Sequence, residues 1–186
     1  MKARPSQTLG EVTLELNYGD ETLLAQAACV TSRSPLAVKN ILVPVDFSDC
    51  CRKALQYAVP LAYFHKSVIT LLYVADPGYS GGIYGGVDYA YLERGLREES
   101  EKRLVTLANE QIPRDIPSET LVRMGSATEE IVEAANQLPA DLIVISTHGH
   151  TGLKHVFLGS VAEHVVQRAP CPVLVVREHE RDILAA

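Results

Sequence analysis

The chain has 186 residues, 47% of them hydrophobic, with a formal net charge of -6 and four cysteines. That length and apolar content suffice to bury the core of one α/β domain plus a modest extension. Scattered lysines and arginines under a negative balance argue against a nucleic-acid surface, and no apolar run has the length of a signal peptide or a membrane span, so a cytoplasmic protein without nucleic-acid or membrane partners is expected.

Residues 1–38 read as an extension distinct from the rest of the chain. Val12, Leu14 and Leu16 alternate with Thr13, Glu15 and Asn17, which is the period of a strand, and Tyr18-Gly19-Asp20 is a turn signal. The stretch ETLLAQAACV is expected to return as the second strand of a hairpin, a short helix capped by Asp20 being the alternative. Ser32-Arg33-Ser34-Pro35 reads as a linker.

From Lys39 the pattern changes to alternating strands and helices. Ile41 to Val45 forms a buried strand finishing near Pro44, and Asp46-Phe47-Ser48 is the turn into a helix capped by Ser48 or Asp49 and running to about Phe64. Adjacent Cys50 and Cys51 stand near that helix start, where a lowered thiol pKa would permit redox sensing, but plain packing is the preferred reading. Val68 to Val74 is the second strand. The glycine- and tyrosine-rich GYSGGIYGGVDYAY leaves its carboxyl end, where ligands bind in open parallel sheets, and is equally well a lid or a surface loop. A charged helix over Glu93 to Gln111, a strand over Glu119 to Met124 and a helix capped by Ser126 or Thr128 come next. Ala140 to Ile145 is the fourth strand, and a helix from Ser160 to Arg168 leads through Pro170-Cys171-Pro172 to a last strand, Val173 to Val176. This alternation predicts a doubly wound parallel sheet.

The most informative stretch is DLIVISTHGHTGLKHVFLGSV, Asp141 to Val161. A buried strand breaks into a glycine loop and re-enters a helix at Ser160, an arrangement that turns backbone N–H groups and a helix N-terminus toward an anion such as phosphate. The stretch resembles the universal stress protein family, whose ATP-binding members carry G-x2-G-x9-G-[S/T]. Here those positions are Ser146, Gly149, Gly159 and Ser160, a serine standing for the first glycine. NILVPVDFS, LLYVADP and PVLVVR extend the resemblance over nearly all of Lys39 to Arg177, giving a domain at 39–178 and a tail at 179–186. The resemblance implies an open five-stranded parallel sheet of order 3-2-1-4-5, of the adenine nucleotide alpha hydrolase-like type. It also implies an ATP-binding stress-response regulator and a homodimer formed through the last strand.

The residues sort accordingly. Asp46, at the carboxyl end of the first strand, is a ribose-binding acid or else a turn residue holding its own backbone. Pro44, Val45 and Val74 are apolar walls that the resemblance puts beside adenine, with Ile145 at the end of the fourth strand. Gly149, Gly159, Ser160 and Val161 are the phosphate candidates, and a side chain at Gly159 is expected to abolish binding while leaving the protein folded. Ser146 either crowds the ligand or donates its hydroxyl, and His148 organises the loop or touches the ligand. Lys154 is a solvated loop lysine or a partner of a terminal phosphate. His148, His150, His155 and His164 lack the spacing of a metal site. No Walker lysine or general base marks a strong catalyst, so slow Mg2+-assisted ATP hydrolysis and a dimeric module that binds no nucleotide stand as alternatives. An adenylating or pyrophosphatase type is discounted, because Ser80-Gly81-Gly82 comes after the second strand and lacks the expected Asp-Ser.

Overall fold

The computed structural model describes residues 2–5, 12–15, 37–76, 89–147 and 158–177. The chain divides into two compact units, Met1–Ala37 and Val38–Ala186. In the first, β1 (Lys2–Pro5) pairs antiparallel with β2 (Val12–Glu15), Lys2 lying opposite Glu15 and Pro5 opposite Val12. The strand expected at Val12 thus finds its partner upstream, while ETLLAQAACV lies outside the described residues. Lys2–Pro5 carries a single aliphatic residue and ends in proline, so it gives almost no strand signal of its own.

The second unit carries β3 (Asn40–Pro44), α1 (Asp49–His65), β4 (Val68–Ala75), α2 (Tyr89–Gln111), β5 (Ser118–Met124), α3 (Ala127–Gln137), β6 (Leu142–Ser146), α4 (Ser160–Arg168) and β7 (Val173–Val176). All its strand pairs are parallel and the sheet order is β5-β4-β3-β6-β7, which is 3-2-1-4-5 counted within this unit. Apolar residues on both faces of the strands explain this sheet, since parallel sheets are covered by helices on each side. Ile41 and Val43 face a core shared with Leu55 and Ala58 of α1 and Leu104 and Leu107 of α2. Leu42, one residue out of phase, faces the opposite core with Ile131 and Ala135 of α3 and Val165 of α4.

Several boundaries differ from expectation by a few residues. α1 continues one residue further, to His65, and is closed by Lys66 in the left-handed region (φ 56°), whose N–H donates to the Ala62 carbonyl. Pro60 is accommodated within it on an exposed side, where water can serve the carbonyl left without an N–H. α2 starts at Tyr89, taking in the last tyrosines of the segment read as a loop. β6 starts at Leu142, because Asp141 is occupied in fastening the sheet's amino edge: its Oδ2 accepts from the amides of Lys39 at 2.7 Å and Asn40 at 3.0 Å.

Candidate functional site

The chain proceeds from β3 outward through β4 to β5, then returns to the other side of β3 for β6 and β7. The strand order therefore reverses between β3 and β6, and such a switch point opens a crevice at the carboxyl ends of the strands. A cavity of about 240 Å3 lies there. β3 and the residues after it supply Pro44, Val45 and Asp46, β4 supplies Leu72, Tyr73 and Val74, and β6 supplies Ile145 and Ser146, with Thr147 next in the chain. Ala127 and Ile131 of α3, with Gly159, Ser160, Val161 and Ala162 at the start of α4, complete the lining. Every described residue assigned to the ligand from the sequence is on this wall. His148 and Gly149 lie outside the described residues, as do Lys154 and most of GYSGGIYGGVDYAY.

Asp46 serves its turn as well as facing the cavity. Its Oδ1 accepts from the Ser48 amide at 3.1 Å and from the Ser48 hydroxyl at 2.6 Å. Ser48 in turn caps α1, its Oγ accepting from the Cys51 amide at 3.4 Å. Phe47 between them has φ 64°, a left-handed conformation that bulky side chains rarely adopt.

At the start of α4, the Gly159 amide donates to the Thr147 carbonyl at 2.8 Å, and the Thr147 amide donates to the Val176 carbonyl of β7 at 2.9 Å. The end of β6 and the start of α4 are thereby fastened together. A Cβ at position 159 would lie 2.7 Å from the Thr147 carbonyl oxygen, closer than a real side chain comes. Gly159 has an ordinary φ of -67°, so space and not backbone freedom demands glycine here. A side chain at 159 would therefore meet backbone whether or not a ligand is bound, a crowding that the expectation of lost binding with the fold kept did not include.

The α4 N-terminus faces the cavity through residues 160 to 162. The first intrahelical bond runs from the Glu163 amide to the Gly159 carbonyl at 2.9 Å, so the amides of Ser160, Val161 and Ala162 have no acceptor within the helix. These donors, the helix dipole and the exposed Ser160 hydroxyl present partial positive charge at the cavity mouth. The remaining surface is largely aliphatic. The arrangement therefore suits a ligand with a flat apolar part and an anionic end, and among the described residues no three metal-ligating side chains cluster.

Burial raises the Cys51 thiol pKa, desolvation being the largest cause, and its Sγ donates to the Ser48 carbonyl at 3.1 Å. This opposes the thiolate-lowering effect considered for the helix start. Burial likewise raises Cys171. Leu72, Tyr73, Ala127, Ile131, Thr147 and Ala162 were not singled out from the sequence as ligand contacts. Ala127 and Ile131 carried a usable signal, being four apart on one helical face, but nothing in the sequence told that this face overhangs the sheet's carboxyl edge.

The family model described as the universal stress protein family matches residues 37–177. Universal stress protein MJ0531 of Methanocaldococcus jannaschii is 33% identical over 144 residues, covering 77% of this chain and 85% of its own length. The solved structure of MJ0577, a universal stress protein of the same organism, is 29% identical and superposes with a TM-score of 0.65 over 78% of this chain and 99% of its own. A universal stress protein solved in complex with cAMP shares the fold at 23% identity and a TM-score of 0.51, covering 76% of this chain and 98% of that one. With the motif, the sheet order and these likenesses in agreement, the chain belongs to the universal stress protein family.

Proposed function

We propose that this stress protein binds an adenine nucleotide, ATP, in the cavity between β3 and β6, and that occupancy governs its conformation or its choice of partner. The observation that carries the reading is the row of α4 amides at residues 160 to 162, backed by the Ser160 hydroxyl and opening on an aliphatic cleft at the switch point. In this reading those donors hold phosphate, Asp46 accepts from the ribose, and Pro44, Val45 and Val74 flank the base. Ile145 and Ser146 form the floor, with Gly149 and His148 contributed by the loop. The cavity volume of about 240 Å3 suits a nucleoside portion, with the phosphates running out along α4. That a protein of this fold holds cAMP sets the ligand class to try first.

One observation favours a second reading, an interaction module that binds no nucleotide: Ser146 brings a side chain to the cleft where the family motif has glycine. Both readings include a cytoplasmic homodimer paired through β7, which is the last strand of the sheet order. Purifying the protein without added nucleotide, denaturing it and identifying released small molecules by mass spectrometry, together with titration by ATP and Mg2+, tests the choice. Released or titratable adenine nucleotide supports the first reading, and its absence in both experiments supports the second.

A further inference from the structure

Phe47 is the described residue outside the cavity wall whose conformation most demands an explanation. It holds a left-handed φ of 64° between Asp46, which lines the cavity, and Ser48, which caps α1. A bulky residue stays in that region only where its surroundings impose it. Here they do. The Phe47 ring lies with its centroid 4.7 Å from that of Tyr73 on β4, and the guanidinium carbon of Arg103 on α2 stands 4.1 Å from the Phe47 centroid. The ring is thus packed by two other elements, through one aromatic contact and one cation–π contact.

The backbone on either side shows what the strained conformation achieves. With Phe47 left-handed, the chain reverses tightly enough for Asp46 Oδ1 to take both the amide and the hydroxyl of Ser48. The carboxylate is then fixed at the start of α1 while remaining part of the cavity wall. A carboxylate has about four acceptor sites, enough to serve its own turn and a ligand hydroxyl together. We propose that Phe47, held by Tyr73 and Arg103, is a positioning residue that sets the Asp46 carboxylate for recognition of a ribose hydroxyl. This rests on the nucleotide reading given above and adds to it a route by which α2 influences sugar recognition.

The test compares binding of ATP and 2′,3′-dideoxyATP by calorimetry to the full chain, to Phe47→Gly and to Phe47→Tyr. A hydrogen bond to a charged acceptor makes the unmodified chain prefer ATP by about tenfold or more. Glycine accepts the left-handed φ but removes the ring, freeing the turn, so Phe47→Gly is expected to lower the preference to about threefold or less. Its affinity for the dideoxy ligand should stay within about twofold, since the phosphate and base contacts are elsewhere. Phe47→Tyr keeps the ring and restores the preference. Where Phe47→Gly is shown unfolded by circular dichroism, Arg103→Gln takes its place, leaving the ring and its turn but removing the cation–π contact from the exposed face of α2.

A folded variant that keeps the full preference overturns the inference, as does an equal weakening of both ligands, which would mark Phe47 as general support for the cleft. An unmodified chain that binds both ligands equally overturns it while leaving the nucleotide reading intact. An unmodified chain that binds neither overturns both.

Discussion

The sharpest perturbation is Ser160→Asp, because it has opposite effects on the fold and on the proposed ligand. Ser160 is the first residue of α4 and is exposed. A carboxylate in that place meets the positive end of the helix dipole, which stabilises a helix by about 0.3–1 kcal/mol. The same carboxylate stands where phosphate is proposed to bind. Two unit charges about 4 Å apart repel by about 1 kcal/mol even in water-like surroundings, and by more as the site becomes shielded. Two or three phosphate charges together therefore cost about 2–3 kcal/mol, a loss of about 30- to 150-fold in affinity. The assay is calorimetric titration with ATP beside thermal unfolding without ligand. The expected result is an equal or higher melting temperature with affinity lowered by at least about tenfold. A folded variant that binds within about twofold of the unmodified chain would refute the phosphate assignment.

Gly159→Ala should behave differently. Its Cβ would meet the Thr147 carbonyl at 2.7 Å, so ligand-free stability is expected to fall by about 1–3 kcal/mol, the usual cost of overpacking. Denaturant unfolding checks this, and an unchanged midpoint would contradict it. Ser146→Gly, which restores the family motif, is expected to tighten ATP binding by up to about fivefold, or about 1 kcal/mol, in calorimetry. Unchanged affinity would show that the serine is compatible with the ligand. Cys51 predicts a pH dependence. Its pKa in the fold is raised above the 9.0 of a free thiol, so above that pH the unfolded chain binds fewer protons than the folded one and stability falls as pH rises. Cys51→Ala should flatten that fall, by up to about 1.4 kcal/mol per pH unit, in unfolding curves taken at about pH 8 and about pH 10.

Much of the fold was legible because the central strands of this sheet are buried on both faces. NILVP and DLIVIS are apolar without alternation, which marks central parallel strands, and the residues between carry helical periods. What the sequence hid were features decided by contacts far along the chain. Asp141 reads as part of a strand, yet its carboxylate is engaged by residues about a hundred positions earlier. Tyr89 reads as loop because glycines precede it, yet α2 begins there.

At the site, Asp46 and Ser160 were visible because they flank the breaks at which strands end. Gly159 was visible too, but the structure gives it a reason, the nearness of Thr147, that no spacing reveals. Tyr73 and Thr147 sit within ordinary apolar and loop context, and only the packing of α3 and α4 over the sheet end makes them cavity wall. The strain at Phe47 was equally invisible, since Asp-Phe-Ser is a turn in the sequence whether or not its middle residue is left-handed.

Nucleotide binding at the α4 N-terminus is tested most directly by watching backbone amides in nuclear magnetic resonance spectra while ATP is added to the full chain. The amides of Ser160, Val161 and Ala162 are expected to shift most, saturating together with Val45, Asp46 and Val74. Saturable binding that leaves residues 160 to 162 unmoved, or no shift at millimolar ATP, would contradict the phosphate site.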